Sequence, residues 1–187
     1  MKTNRLSNHL YLKGCFLGLI LLLPLLISAQ STDLVVVDQD FGQKELLASK
    51  LSTNNVQLLE LTSSENPWKS IRTTLVQNPA IETIHLFAEG SFDHIKLGTI
   101  VYDTAQVDAE SELSMLEGVY KGTNIQMLVY NCSIGANEQG RQLLKKIGDK
   151  AYFNISVPTD CNTIFSEDLT FNYTSLGQAT SQPILQN

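Results

Sequence analysis

The sequence predicts an α/β fold: a three-layer sandwich, with a mainly parallel sheet between helices on both faces. Two observations predict it. Leu34-Val35-Val36-Val37 is an apolar run without polar alternation, as in a strand buried on both faces. Similar short runs then alternate with helical stretches at the spacing of βαβ units, which generate parallel strands and cover both sheet faces.

The elements follow in order. Residues 43–51 form a helix with Leu46, Leu47 and Leu51 to one side, and 56–61 form the second strand. Pro67 suits the first turn of a helix, which carries Trp68, Ile71 and Leu75 and stops near Asn78-Pro79. Residues 81–88 are the third strand. Two short β-like pieces around Gly98 read as a small hairpin within 90–102. A helix over 107–120 and a fourth strand over 124–130 come next. A helix over 137–147 ends at Gly148, with Asn137 as its cap, and 151–157 are the fifth strand. Residues 168–174 alternate and read as a late edge strand. The polar tail, 177–187, is expected to fray.

The N-terminus is set apart from this fold. Lys2, Arg5 and Lys13 precede an apolar stretch from Cys15 to Ile27, and Ser28-Ala29-Gln30 supplies small residues for cleavage. The pattern is a secretory signal peptide over residues 1–29, cut after Ala29. The stretch is too short to span a bilayer, which takes about 20 residues, so no stable membrane anchor is expected after cleavage. Removing 29 of 187 residues leaves 158, enough for one domain with its own core over 30–176. Cleavage also takes three of the 13 basic side chains and none of the 19 acidic ones, which leaves a net charge of −9. Such a surface repels phosphate backbones, so nucleic acid is excluded as a partner. The expected location is secreted or periplasmic, an oxidising setting for the two cysteines of the mature chain, Cys132 and Cys161.

In a sheet of this kind, ligands and chemistry sit outside the carboxyl ends of the strands. Those ends are Asp38, Glu89-Gly90, Asn131-Cys132-Ser133 and Pro158-Thr159-Asp160. Cys132 follows a buried strand and precedes a helix, where a thiol is displayed and its thiolate favoured. A small apolar filler is the other role open to it. The fourth and fifth strands could be neighbours, which would put Cys132 and Cys161 at one edge, free or bonded. His85, between Ile84 and Leu86, reads as a packed core residue. His94 lies in the hairpin loop and is the histidine able to swing toward Cys132. Residues 135–140 have the outer glycine spacing of a P-loop but lack its Lys-Ser/Thr pair, which excludes that mode of nucleotide binding. Histidines and cysteines lack zinc-ligand spacing. No cofactor is implied.

Several of these segments together carry a family resemblance. They are Val35-Val36-Val37-Asp38, residues 84–91 (Ile-His-Leu-Phe-Ala-Glu-Gly-Ser), Leu97-Gly98, Leu128-Val129-Tyr130-Asn131-Cys132-Ser133, the stretch from Gly135 to Gly140, and residues 168–173. The chain resembles the bacterial domain of unknown function 4347 over about residues 34–175. That family's strand-end patterns, Ser-His-Gly and Tyr-Gly-Cys, look like the histidine–cysteine dyad of caspase-like cysteine peptidases, the group that includes gingipains and clostripain. The resemblance implies a caspase-like fold, Cys132 in the nucleophile position and Gly90 at an oxyanion site.

Two departures bear on activity. Glu89 stands in the histidine position, and Asn131 replaces the glycine before the cysteine. The base must take the thiol proton and later protonate the leaving amine. Imidazole, at a reference pKa of about 6.5, does both near neutral pH; glutamate, at about 4.3, does not. A carboxylate about 4 Å from a thiolate also repels it by roughly 4 kcal/mol at an effective dielectric of 20. The sequence therefore points to a secreted, catalytically inactive domain that binds a peptide or protein ligand. The alternative is an active cysteine peptidase using Cys132 with His94 as a displaced base.

Overall fold

A computed structural model describes residues 32–51, 55–120, 125–177 and 182–185, with the backbone alone for 118–120. Residues 1–29, which the sequence pattern reads as a signal peptide, lie outside the described residues.

The chain builds β1 (Asp33–Asp38), α1 (Lys44–Lys50), β2 (Val56–Leu61), α2 (Pro67–Gln77) and β3 (Thr83–Phe87). A hairpin of β4 (Ile95–Leu97) and β5 (Ile100–Tyr102) follows, then α3 (Thr104–Ala109), α4 (Ser111–Tyr120) and β6 (Gln126–Val129). The last elements are α5 (Cys132–Ala136), α6 (Glu138–Ala151), β7 (Asn154–Val157) and β8 (Tyr173–Thr174). The main sheet has six strands in the order β2-β1-β3-β6-β7-β8. All its pairings are parallel except the last, between β7 and β8. The three-layer α/β sandwich expected from the sequence is the architecture found.

Strand order explains how the layers fill. Right-handed crossovers put a helix on one face when the chain moves one way along the sheet and on the other face when it moves back. Only the step from β1 to β2 moves outward on that side, so α1 stands alone on its face. The steps to β3, β6 and β7 all move the opposite way. Trp68, Ile71 and Leu75 of α2, Leu113 and Leu116 of α4, and Leu143, Leu144 and Ile147 of α6 accordingly share one core with Leu34, Val36, Ile84, Leu86, Met127 and Val129. The opposite face packs Leu47 of α1 against Val35, Val37, Phe87 and Leu128, and is completed by the irregular Ile164, Leu169 and Phe171. Ile184 and Leu185 also pack there, and Leu51 and Leu185 form an antiparallel bridge. Residues 182–185 are therefore docked where the sequence suggested a frayed tail.

Several boundaries moved for tertiary reasons. The helix expected over 107–120 is broken at Glu110, which is only 5% exposed. Its carboxylate accepts from Tyr102 Oη at 2.9 Å, Asn66 Nδ2 at 3.0 Å and the Glu112 amide at 3.0 Å. Burial by itself raises the Glu110 carboxyl pKa, but these donors outweigh it and hold the group below its ordinary value. The helix expected to end at Gly148 continues to Ala151 and is capped by Tyr152 in the left-handed region, at φ 63°. Of residues 168–174, only Tyr173 and Thr174 form the edge strand.

Gly135 and Gly140, the two ends of the P-loop-like spacing, are set by close backbone approach. A Cβ on Gly135 would lie 1.9 Å from the Pro158 carbonyl oxygen, and one on Gly140 would lie 2.0 Å from that of Ile134. These glycines let α5 press onto the end of β7 and let α6 press onto α5. Backbone cannot yield as a flexible side-chain tip can, so Gly135→Ala should cost about 3 kcal/mol or more, at the upper end for overpacking. Urea denaturation measures it; a loss under about 1 kcal/mol would contradict this packing.

Candidate functional site

The carboxyl ends of β1, β3, β6 and β7 lie along one edge of the sheet. The order reverses between β1, which leads out to β2, and β3, which leads the other way. Ligands of open α/β sheets settle in the crevice at such a reversal. Asp38 ends β1 and is fully buried. Its carboxylate accepts from the Asp40 amide at 2.9 Å and from the Gly98 amide at the hairpin turn. One buried side chain thus ties the β4–β5 hairpin to the end of β1. Lys96 of β4 reaches back to Asp40, and this contact raises its pKa.

Glu89 is exposed, and its Oε1 accepts from the Gly42 amide in the β1–α1 loop at 3.1 Å. Its own carbonyl accepts from the Lys96 amide at 2.9 Å. Glu89 therefore fastens one loop to another. Gly90 follows, with room for little more than hydrogen: a Cβ there would sit 3.0 Å from the His94 carbonyl oxygen and 3.2 Å from Asn131 Nδ2. His94 Nδ1 pairs with the neighbouring Asp93 Oδ1 at 2.8 Å. Among the described residues, no hydrogen bond joins Cys132 to Glu89 or to His94.

Cys132 is bonded to Cys161. Their Cα atoms are 5.4 Å apart, and the bridge spans 29 residues. Its geometric cause is the parallel pairing of β6 and β7, which brings both chains out at the same edge. Cys132 opens α5 directly, rather than preceding a helix by several residues. Asn131 is the N-cap: its Oδ1 accepts from the Ile134 amide at 3.0 Å while its Nδ2 donates to the Ala88 carbonyl at 3.2 Å. The Asn131 side chain thus ties the end of β3 to the end of β6.

The model of a domain of unknown function (DUF4347) matches residues 34–163, well over half of the chain. The chain belongs to this family. Neither the curated proteins nor the solved structures yield a match. The family match covers every strand of the main sheet except β8, and with them the whole strand-end edge. It stops just past Cys161.

Two features of this DUF4347 site escaped the sequence reading. Asn131 is an asparagine directly before a helix start, which is itself a capping signal; cap duty was assigned to Asn137 alone. Asn137 does cap α6, accepting from the Gly140 amide at 3.0 Å. The second feature is Phe92, whose ring is 51% exposed in the loop after Glu89-Gly90. An exposed aromatic is invisible to periodicity because it lies in no element.

His85 is a core residue, as the sequence suggested. Its Nε2 lies 3.2 Å from Asp33 Oδ1 and its Nδ1 lies 3.0 Å from Tyr130 Oη. An ionised carboxylate only accepts, so Nε2 carries the proton; in the neutral ring Nδ1 then accepts from the tyrosine hydroxyl. This contact with His85 is the main reason that the Asp33 carboxyl lies below its ordinary pKa. A depressed carboxyl pKa gives stability that is present above the unfolded value of about 3.9 and is lost as pH falls through the folded value. Asp33→Asn should therefore lower Tm at pH 6 by more than it does at pH 3. A Tm difference independent of pH over that range would contradict the assignment.

Proposed function

We propose that this domain is an exported, catalytically silent relative of caspase-like cysteine peptidases, working as a binding module that holds a peptide or protein partner at its strand ends. The observation that carries the reading is the covalent state of Cys132. A sulfur bonded to Cys161 offers no thiolate, and acyl transfer then has no nucleophile. Reduction alone does not restore the chemistry, because Glu89 stands where the base would be and is engaged with the Gly42 amide. A disulfide also suits the oxidising compartment to which a signal peptide over 1–29 would deliver the chain.

The same edge has features of a recognition surface. Phe92 supplies an exposed aromatic of the kind that anchors interfaces. Exposed Glu89, Asp93 and Asp160 give it a negative rim, which favours a partner carrying basic side chains and disfavours nucleic acid.

Activity measurements separate this reading from an active peptidase with His94 as base. Mature protein, oxidised and reduced, is incubated with a peptide-substrate library and a thiol-directed probe beside Cys132→Ala. No turnover is expected in either redox state. Turnover in the reduced protein that disappears in C132A overturns the proposal.

A further inference from the structure

Between β7 and β8, residues 158–172 form neither helix nor strand. The stretch is compact all the same. The Thr159 amide donates to Asn172 Oδ1 at 3.2 Å, which draws its two ends together. Within it, the Leu169 amide donates to the Ser166 carbonyl at 3.2 Å. Ile164, Leu169 and Phe171 turn inward onto the sheet face, while residues 162–163, 166–168 and 170 are exposed. Joined ends and a filling of its own side chains are the build of an Ω-loop.

Two kinds of attachment hold this loop to the domain. One is apolar: the three inward side chains, with the Phe171 ring edge-on to Tyr130 at 5.0 Å between centroids. The other is covalent, the bond from Cys161 to Cys132 at the start of α5. Among the described residues, every hydrogen bond made by residues 160–171 ends within that stretch. Ordering a loop without sheet or helix bonds costs conformational entropy, and such loops form the low-stability end of a fold. Cutting the covalent attachment leaves the apolar contacts alone to offset that cost. The core beneath α2, α4 and α6 does not include the loop, whose three side chains belong to the other face. Cys132 and Cys161 are both only partly buried, so a small thiol can reach the bond.

We propose that the Cys132–Cys161 bond is a redox latch on this loop: oxidised, it holds the loop closed on the α1 face; reduced, it lets residues 160–171 lift away while the sheet stays folded. Such a latch works whether or not the strand ends bind a partner. The reductant is a dithiol. One of its thiolates attacks one sulfur of the pair, and the other cysteine leaves as a thiolate and takes up a proton. The second thiolate of the reductant then attacks the mixed disulfide and displaces the remaining cysteine. Two electrons pass to the pair, which ends as two thiols, and the reductant ends as a cyclic disulfide. A disulfide oxidant reverses the steps.

Hydrogen exchange on residues 30–187 tests this, first with the bond intact and then after reduction by dithiothreitol. The Leu169 amide should exchange at least about tenfold faster after reduction. Amides of β1, β3 and β6 should stay protected over the same labelling times. Restoring the bond with oxidised glutathione should restore the slow Leu169 rate. An unchanged Leu169 rate in fully reduced protein overturns the latch. Loss of protection in loop and strands together also overturns it, because reduction then unfolds the domain. A bond that dithiothreitol reduces only once the protein is denatured overturns it too.

Discussion

Parallel pairing of β6 with β7 is the constraint from which the strand-end architecture follows. Two neighbouring parallel strands must both leave the sheet at the same edge, so the chain after β6 and the chain after β7 compete for one space. Gly135 resolves that competition by letting α5 lie against the Pro158 carbonyl. Once α5 is seated, Cys132 and Cys161 stand with Cα atoms 5.4 Å apart, within the range a disulfide spans without backbone movement. Closing a loop of this length removes about 3–4 kcal/mol of unfolded-state freedom in the chain-entropy picture. The bond also fixes the start of the irregular stretch whose Ile164, Leu169 and Phe171 finish the sheet face that α1 leaves uncovered.

Charge at the crevice sorts by burial. The Lys96–Asp40 pair is exposed and screened by water, so it adds little to stability. Buried Asp38 matters more, because losing it would strand the Gly98 and Asp40 amides that it accepts from. Asp38 and Asn131 therefore hold the edge together from beneath, while Glu89, Phe92 and Asp93 remain at the surface. A rigid platform with exposed side chains at its rim is compatible with the binding role proposed for it. Acid–base catalysis requires a positioned base, and neither Glu89 nor His94 is hydrogen-bonded to Cys132 among the described residues.

What could be read from the sequence divides along the line between local and tertiary causes. The strand over 56–61 was legible because a short apolar run between turn residues needs no partner to be recognised, and Pro67 marked the start of α2 for a local reason. The residues at the strand ends were legible as positions, but their partners were not. Gly148 looked like a helix stop, yet its role is to admit the Phe153 carbonyl, to which a Cβ would come within 2.8 Å. Glu110 looked like one more polar residue in a continuous helix, and only Tyr102 and Asn66 arriving from elsewhere explain the break. Docking of residues 182–185 was hidden for the same reason: Tyr130 supplies the acceptor from far away in the chain. The pairing of Cys132 with Cys161 stayed open until strand order made β6 and β7 neighbours.

The most direct measurement is of the two sulfurs themselves. Residues 30–187, produced in an oxidising compartment and purified without reductant, are denatured in the presence of an alkylating agent, then digested and weighed by mass spectrometry. A committed Cys132–Cys161 bond leaves no alkylated cysteine and yields one linked peptide pair. Two alkylated cysteines in the folded protein would return Cys132 to the pool of available thiols and contradict the account of a silenced site.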